Sequence, residues 1–124
     1  MADQASFRFS REQRLRSAAQ FELMRQRGAV RHAGPLRVAA LPNTLGFNRM
    51  GLAISKRCGS AVERNRVKRQ LRDAFRLLQH DLPRGYDLVI AARAHDPVKN
   101  SQYQQWLSDA IQRLDHHWKE HGQP

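Results

Sequence analysis

Six polar side chains carry the types and spacing that could do chemistry: Arg64, Asn65, Arg66, Lys68, Arg69 and Arg72. At about 100° per residue, Asn65, Lys68, Arg69 and Arg72 gather with Arg76 on one side of a helix. Arg66 flanks that side, and Arg64 stands nearer the edge of the other. There Val67, Leu71, Ala74, Phe75 and Leu78 form one apolar stripe. From Lys56 to Arg76 the chain has eight cations against two acids, a net of +6. Like charges at i and i+4, Lys68 with Arg72 and Arg72 with Arg76, each cost roughly 0.2–0.5 kcal/mol. A face that is merely solvated usually mixes signs. Cations gathered against their own repulsion suit a polyanion, and guanidinium forks both grip phosphate and stack on bases.

A hydrolytic site of the chain's own does not assemble from the spacing. Cleaving a phosphodiester with two metals requires carboxylates converging on the ions. Here Glu12, Glu22, Glu63, Asp73, Asp81, Asp87, Asp96, Asp109, Asp115 and Glu120 are scattered, with no D-x-D pair. Among the histidines, His117 and His121 share a helix face beside His116, too few ligands for a metal and better read as a polar helix end. His32, His80 and His95 are isolated. Cys58, the one cysteine, precedes a helix start that could lower its pKa, but no partner histidine is implied, so it reads as a small structural residue. Gly46, Gly51 and Gly59 lack the spacing of a phosphate-binding loop, so no nucleotide cofactor is expected. The expectation is no catalytic residue and no protein metal site.

Several elements must hold the basic helix. Ser60 with Glu63 is a capping box that starts it at about Ala61, and it ends before Pro83. Ser17 with Gln20 is a second such box, opening a helix over about 18–27 that Gly28 closes. Ala29–His32, Leu36–Leu41 and Arg49–Ser55 read as strands making an antiparallel sheet. Tyr86–Arg93 is the most apolar strand and reads as central. Ser101 with Gln104 opens a last helix whose Tyr103, Leu107, Ala110, Ile111, Leu114 and Trp118 face the core. The order is α-β-β-β-α-β-α, an α+β fold with a single antiparallel or mixed sheet. Phe21 reads from spacing alone as a core residue.

The 124 residues suggest one domain, with residues 1–13 and 119–124 flexible and Arg14-Leu15-Arg16 placed to pack or to meet RNA. The net charge of +11 is uneven. Residues 1–37 carry eight cations and three acids, whereas residues 77–124 carry five and six, which marks the last helix as scaffold. A membrane partner fits poorly, because no apolar run approaches spanning length and the basic helix has no Trp on its apolar stripe. One cysteine and a polar N-terminus fit a cytoplasmic protein.

Arg64-Asn65-Arg66-Val67-Lys68-Arg69, preceded by Gly59-Ser60-Ala61-Val62 and followed by Arg72, Ala74 and Phe75-Arg76, resembles the signature helix of the bacterial ribonuclease P protein subunit. Ile54-Ser55-Lys56-Arg57 is similar to the end of that family's preceding strand. A weaker likeness runs from Arg14 to about Leu114. The resemblance implies a ribosomal-protein-S5-like fold with a left-handed β-α-β crossover. It also implies an endoribonuclease holoenzyme in which an RNA subunit is the catalyst and this chain its cofactor. That enzyme removes the 5′ leader of precursor tRNA by Mg²⁺-dependent hydrolysis, with Mg²⁺ held mainly by the RNA. The implied partners are the catalytic RNA, bound 1:1, and precursor tRNA. The implied roles are catalytic-RNA binding for Arg64, Asn65, Arg66, Lys68, Arg69 and Arg72, and leader binding for Phe21, Leu36, Arg37, Lys56 and Arg57. The chain departs from the family at Arg25 and Leu36, where members often carry aromatics. Two other readings are weighed: a structural RNA-binding protein like those of the ribosome, and a DNA-binding helix, which lacks a helix-turn-helix partner.

Overall fold

The computed structural model describes residues 13–15 and 17–122. Its elements are α1 (Ala18–Arg27), β1 (Ala29–Ala33), β2 (Leu36–Pro42), β3 (Arg49–Ala53), α2 (Ala61–Leu78), β4 (Tyr86–Ala92) and α3 (Asn100–His121). A 3-10 turn, Lys56–Cys58, leads into α2. Both capping boxes form: the Ser17 hydroxyl accepts from the Gln20 amide, the Ser60 hydroxyl accepts from the Glu63 amide, and each partner side chain bonds back.

Gly28 closes α1 as expected, in an extended conformation, φ −70°, so no left-handed turn requires it. A side chain there would meet the Met24 carbonyl oxygen at 2.6 Å, and close approach is the reason for glycine. One local expectation is corrected: Ser101 and Gln104 make no capping box, because α3 begins at Asn100, two residues before the start a Ser101 cap requires, and its N-cap, Lys99, has no side-chain bond. Gln104 instead donates to Asn100 Oδ1, and Asn100 donates to the Gln70 carbonyl of α2. α3 runs to His121, so residues 119–121 lie in its last turn. Gln13 donates to Gln79 at the end of α2, while residues 1–12, Arg16, Gln123 and Pro124 lie outside the described residues.

The sheet is mixed, in the order β1-β2-β4-β3. β1–β2 and β2–β4 are antiparallel, and β3 runs parallel to β4. The first three strands therefore do not form an antiparallel sheet among themselves, because β4 enters between β2 and β3 and is central as its apolar run implies.

One face of the sheet is core. Leu36, Val38, Ala40, Leu88 and Ile90 are at most 1% exposed, and on this face α3 packs over β1 and β2. Trp118 Nε1 donates to the Ala40 carbonyl at 3.0 Å, and the Tyr86 hydroxyl donates to Asp115 at 2.7 Å. α2 lays Val67, Leu71, Ala74 and Phe75 against the same core and packs on α3. The other face takes α1 over β2 and β4.

Candidate nucleic-acid interface

Burying its stripe leaves α2 one way to face outward. Asn65, Arg69 and Arg72 are exposed, and Arg64, Arg66 and Lys68 are half-buried. Among the described residues, no ion pair joins Arg64, Arg66, Lys68, Arg69 or Arg72 to an acid; on this helix only Arg76 meets one, Asp73, at 3.8 Å. The Nε atoms of Arg64 and Arg66 are covered and lack a hydrogen-bond partner. Arg66 lies in the field of Tyr103 and Cys58, so the helix root of the cluster is packed while its outer cations have solvent before them. Glu63 is spent on the cap, and its bonds with Ser60 hold its carboxyl below the usual range.

The second half of the surface comes from strand register. Residues paired across a sheet point to the same face. Val30, Ala39, Val89 and Gly51 form one row, and His32, Arg37, Ala91 and Ala53 form the next. α1 covers the first row, with Phe21 so close that a Cβ on Gly51 would stand 2.6 Å from its ring. Beyond α1 the second row is open, with Arg37 and Ala53 exposed and Ala91 half-buried. Two alanines leave a low floor, Arg37 stands at one side, and Lys56 and Arg57 stand exposed just past the end of β3. Phe21 and Arg37 also line a common recess of about 330 Å³ with Met24, Arg25, Ala39 and Val89.

Four of the five residues expected in this groove, Phe21, Arg37, Lys56 and Arg57, thus stand around one face of the sheet. Leu36 does not. It is fully buried beneath α3, because neighbours in a strand point to opposite faces and Arg37 takes the open one. Phe21 is only half-buried, packed on the core's edge rather than within it. Spacing alone left out Ala53, Ala91 and His32, whose signal is the register.

Other candidates resolve as structure. Cys58 is buried, and burial pushes its thiol pKa up, against the lowering that a helix start suggests. Its Sγ lies 3.7 Å from the Arg93 carbonyl, which accepts from His95 Nδ1–H at 2.8 Å while the buried Tyr103 hydroxyl donates to His95 Nε2 at 2.6 Å. Asp87 holds Arg49 through both carboxylate oxygens and accepts from Asn43. His117 and His121 stack at 4.4 Å, and His116 pairs with Glu120. Among the described residues, no group of three or more His, Cys, Asp or Glu stands where it could hold a metal ion. No helix there is long and apolar enough to cross a membrane.

Residues 9–115 match the family model of ribonuclease P, a span that takes in α2 and the whole sheet. The chain belongs to the ribonuclease P protein family. The ribonuclease P protein component of Roseiflexus sp. is 38% identical over 105 residues, covering 83% of this chain and 86% of that one. The component from Chromohalobacter salexigens is 37% identical over 117 residues, covering 93% and 89%. Among solved structures, the RNase P protein of Thermotoga maritima superposes with a TM-score of 0.75 at 25% identity, covering 82% of this chain and 96% of that one. The Staphylococcus aureus RNase P protein gives 0.70 at 25% identity, covering 82% and 94%. As a ribonuclease P protein component, the chain works in tRNA processing and partners an RNA subunit.

Proposed function

We propose that this chain holds the catalytic RNA of ribonuclease P through α2, and the 5′ leader of precursor tRNA along the open row of the sheet. The observation that carries this reading is a helix face whose Arg64, Arg66, Lys68, Arg69 and Arg72 make no ion pair among the described residues, beside a strand row floored by alanines. Two RNA strands brought together repel, and fixed Arg and Lys charges release condensed counterions and offset that repulsion. Arg64, Arg66, Lys68, Arg69 and Arg72 take phosphates of the catalytic RNA, and Asn65 takes a base edge or a ribose hydroxyl. The leader crosses Ala91 and Ala53, its backbone near Arg37, Lys56 and Arg57 and a base against Phe21, with little base readout.

The protein supplies positioning and charge, raising affinity for leader-bearing precursors and broadening the range of substrates. Hydrolysis belongs to the RNA subunit, whose Mg²⁺ activates water and stabilises charge on the scissile phosphate. We place one chain on each RNA, in the cytoplasm.

Leader removal from a precursor tRNA, at low Mg²⁺ and a fixed amount of catalytic RNA, tests the proposal. Added protein is expected to raise the rate, and RNA-free protein to cleave nothing. Equal affinity of the holoenzyme for leader-bearing and leaderless tRNA would reduce the chain to a structural RNA binder. Cleavage by RNA-free protein would overturn the division of labour.

A further inference from the structure

Arg25 follows Phe21 by one helical turn on α1, and both line the 330 Å³ recess opposite Arg37, Ala39 and Val89. Its side chain is 72% exposed, yet the guanidinium is not loose. Nε donates to Glu22 Oε1 at 3.2 Å and Nη2 to Glu22 Oε2 at 2.5 Å, while Gln26 Nε2 braces Oε2 at 3.0 Å. Three side chains within one turn therefore fix the plane of one guanidinium.

An ion pair this exposed contributes little to stability. Its chemical consequence is different. A two-point bond occupies one edge of the guanidinium and offsets its charge, and the exposure of the side chain leaves planar surface open to solvent. The bond from Arg25 also holds the Glu22 carboxyl below its usual range, which keeps the acid ionised and the pair neutral. Arg37, across the recess, has no such partner among the described residues and keeps its charge. The two walls thus offer different things to a single RNA strand: a neutral plane beside an aromatic ring on one side, a cation on the other.

We propose that the Glu22–Arg25 pair is a charge-neutral stacking platform for one base of the single-stranded leader, with Phe21 beside it and Arg37 holding the adjoining phosphate. This rests on the reading of the groove as the leader's path. Arg25 serves here as a planar group, so its removal weakens stacking without removing a phosphate contact.

The test measures affinity of the reconstituted holoenzyme for precursor tRNA, with and without a leader, over a range of salt. Stacking of one base on a side chain amounts to about tenfold in affinity, and each phosphate contact on a single strand adds about 0.7 to the slope of log affinity against log salt. Arg25→Ala is expected to weaken leader-bearing precursor about tenfold with the slope unchanged, and Arg25→Tyr to restore affinity where Arg25→Lys does not. Arg37→Ala is expected to lower the slope by about 0.7. If Arg25→Ala lowers the slope and Arg25→Lys rescues it, Arg25 is an ordinary phosphate contact and the platform is wrong. If Arg37→Ala and Phe21→Ala weaken leader binding but Arg25→Ala does not, the groove stands and the platform falls. If none of the three affects discrimination between leader-bearing and leaderless tRNA, the groove reading itself fails. Native-gel titration of each variant onto the catalytic RNA, expected to be unaltered, reports whether the holoenzyme still assembles.

Discussion

α2 and α3 pack side by side on one core, and they treat charge in opposite ways. On α3 the cations are matched within the helix, Arg113 with Asp109 at 3.2 Å and Lys119 with Asp115 at 3.1 Å, and the His116 ring lies 2.7 Å from Glu120. All are one turn apart, the spacing that stabilises a helix. On α2 the comparable positions hold like charges, and among the described residues the one ion pair set against them is the 3.8 Å contact of Arg76 with Asp73. Both helices bury an apolar stripe just as thoroughly, so the difference is not a demand of folding. A scaffold helix neutralises its own surface, and a helix meant for a polyanion leaves its charge uncompensated.

The comparison breaks most visibly in the core of α3. Leu107 is fully buried, and Leu107→Ala should cost about 2–5 kcal/mol of stability. Denaturant titration measures that cost. RNA affinity measured well below the melting temperature should stay near that of the unaltered protein. A large loss of affinity in the folded variant would mean that α3 is more than scaffold.

On α2 the expected pattern reverses. Arg69→Ala or Arg66→Ala should weaken assembly with the catalytic RNA by about tenfold or more, since hydrogen bonds to charged groups contribute about 1.5–3 kcal/mol. For Arg69, which is exposed, the melting temperature should barely move. The packed, unpartnered Nε of Arg66 makes its variant the sharper comparison. If either replacement unfolds the protein, the helix face serves the fold rather than RNA.

Much of this contrast was legible in the sequence, for physical reasons that also mark where legibility stops. Ser60 and Glu63 announce the start of α2 because a capping box is local chemistry, and the stripe from Val67 to Phe75 needs only the pitch of a helix. Strand order is not local. Nothing near Arg49–Ala53 says that its neighbour lies some forty residues on, so the insertion of β4 went unread. Leu36 was a different kind of miss. Resemblance placed it in the groove with Arg37, but consecutive strand residues cannot share a face, and its alternation with Val38 and Ala40 already marked it as core. Ala53 and Ala91 matter through their smallness, which no single-residue signal reports.

A smaller effect sharpens the contrast from the side of α3. Asp109→Asn leaves Arg113 without its acid, though Arg113 still donates to the His32 carbonyl. Both partners are about half exposed, and such pairs contribute at most about 1 kcal/mol. The variant should lose that much or less by denaturant titration, with its RNA affinity raised only slightly by the added net charge. Tighter RNA binding comparable to the loss in Arg69→Ala would show that charge counts wherever it sits, and that the placement on α2 is incidental.

The smallest effect lies in how the two capping boxes are built. α1 closes its box with Gln20, which does not titrate, and α2 closes its own with Glu63. The bonds with Ser60 lower the folded pKa of Glu63 below its ordinary value of 4.5. A lowered folded pKa means that the contribution is fully present above the unfolded value and is lost as pH falls through the folded one. Part of the acid-side loss of stability, below about pH 4.5, should therefore belong to the start of α2. Glu63→Gln keeps a side chain able to accept from the Ser60 amide, as Gln20 does for Ser17. It should flatten that part of the stability–pH curve while leaving neutral-pH stability nearly unaltered. Chemical denaturation at several values between about pH 3 and 7 reads this directly. A curve that superposes on that of the unaltered protein would mean that the α2 box contributes nothing pH-dependent.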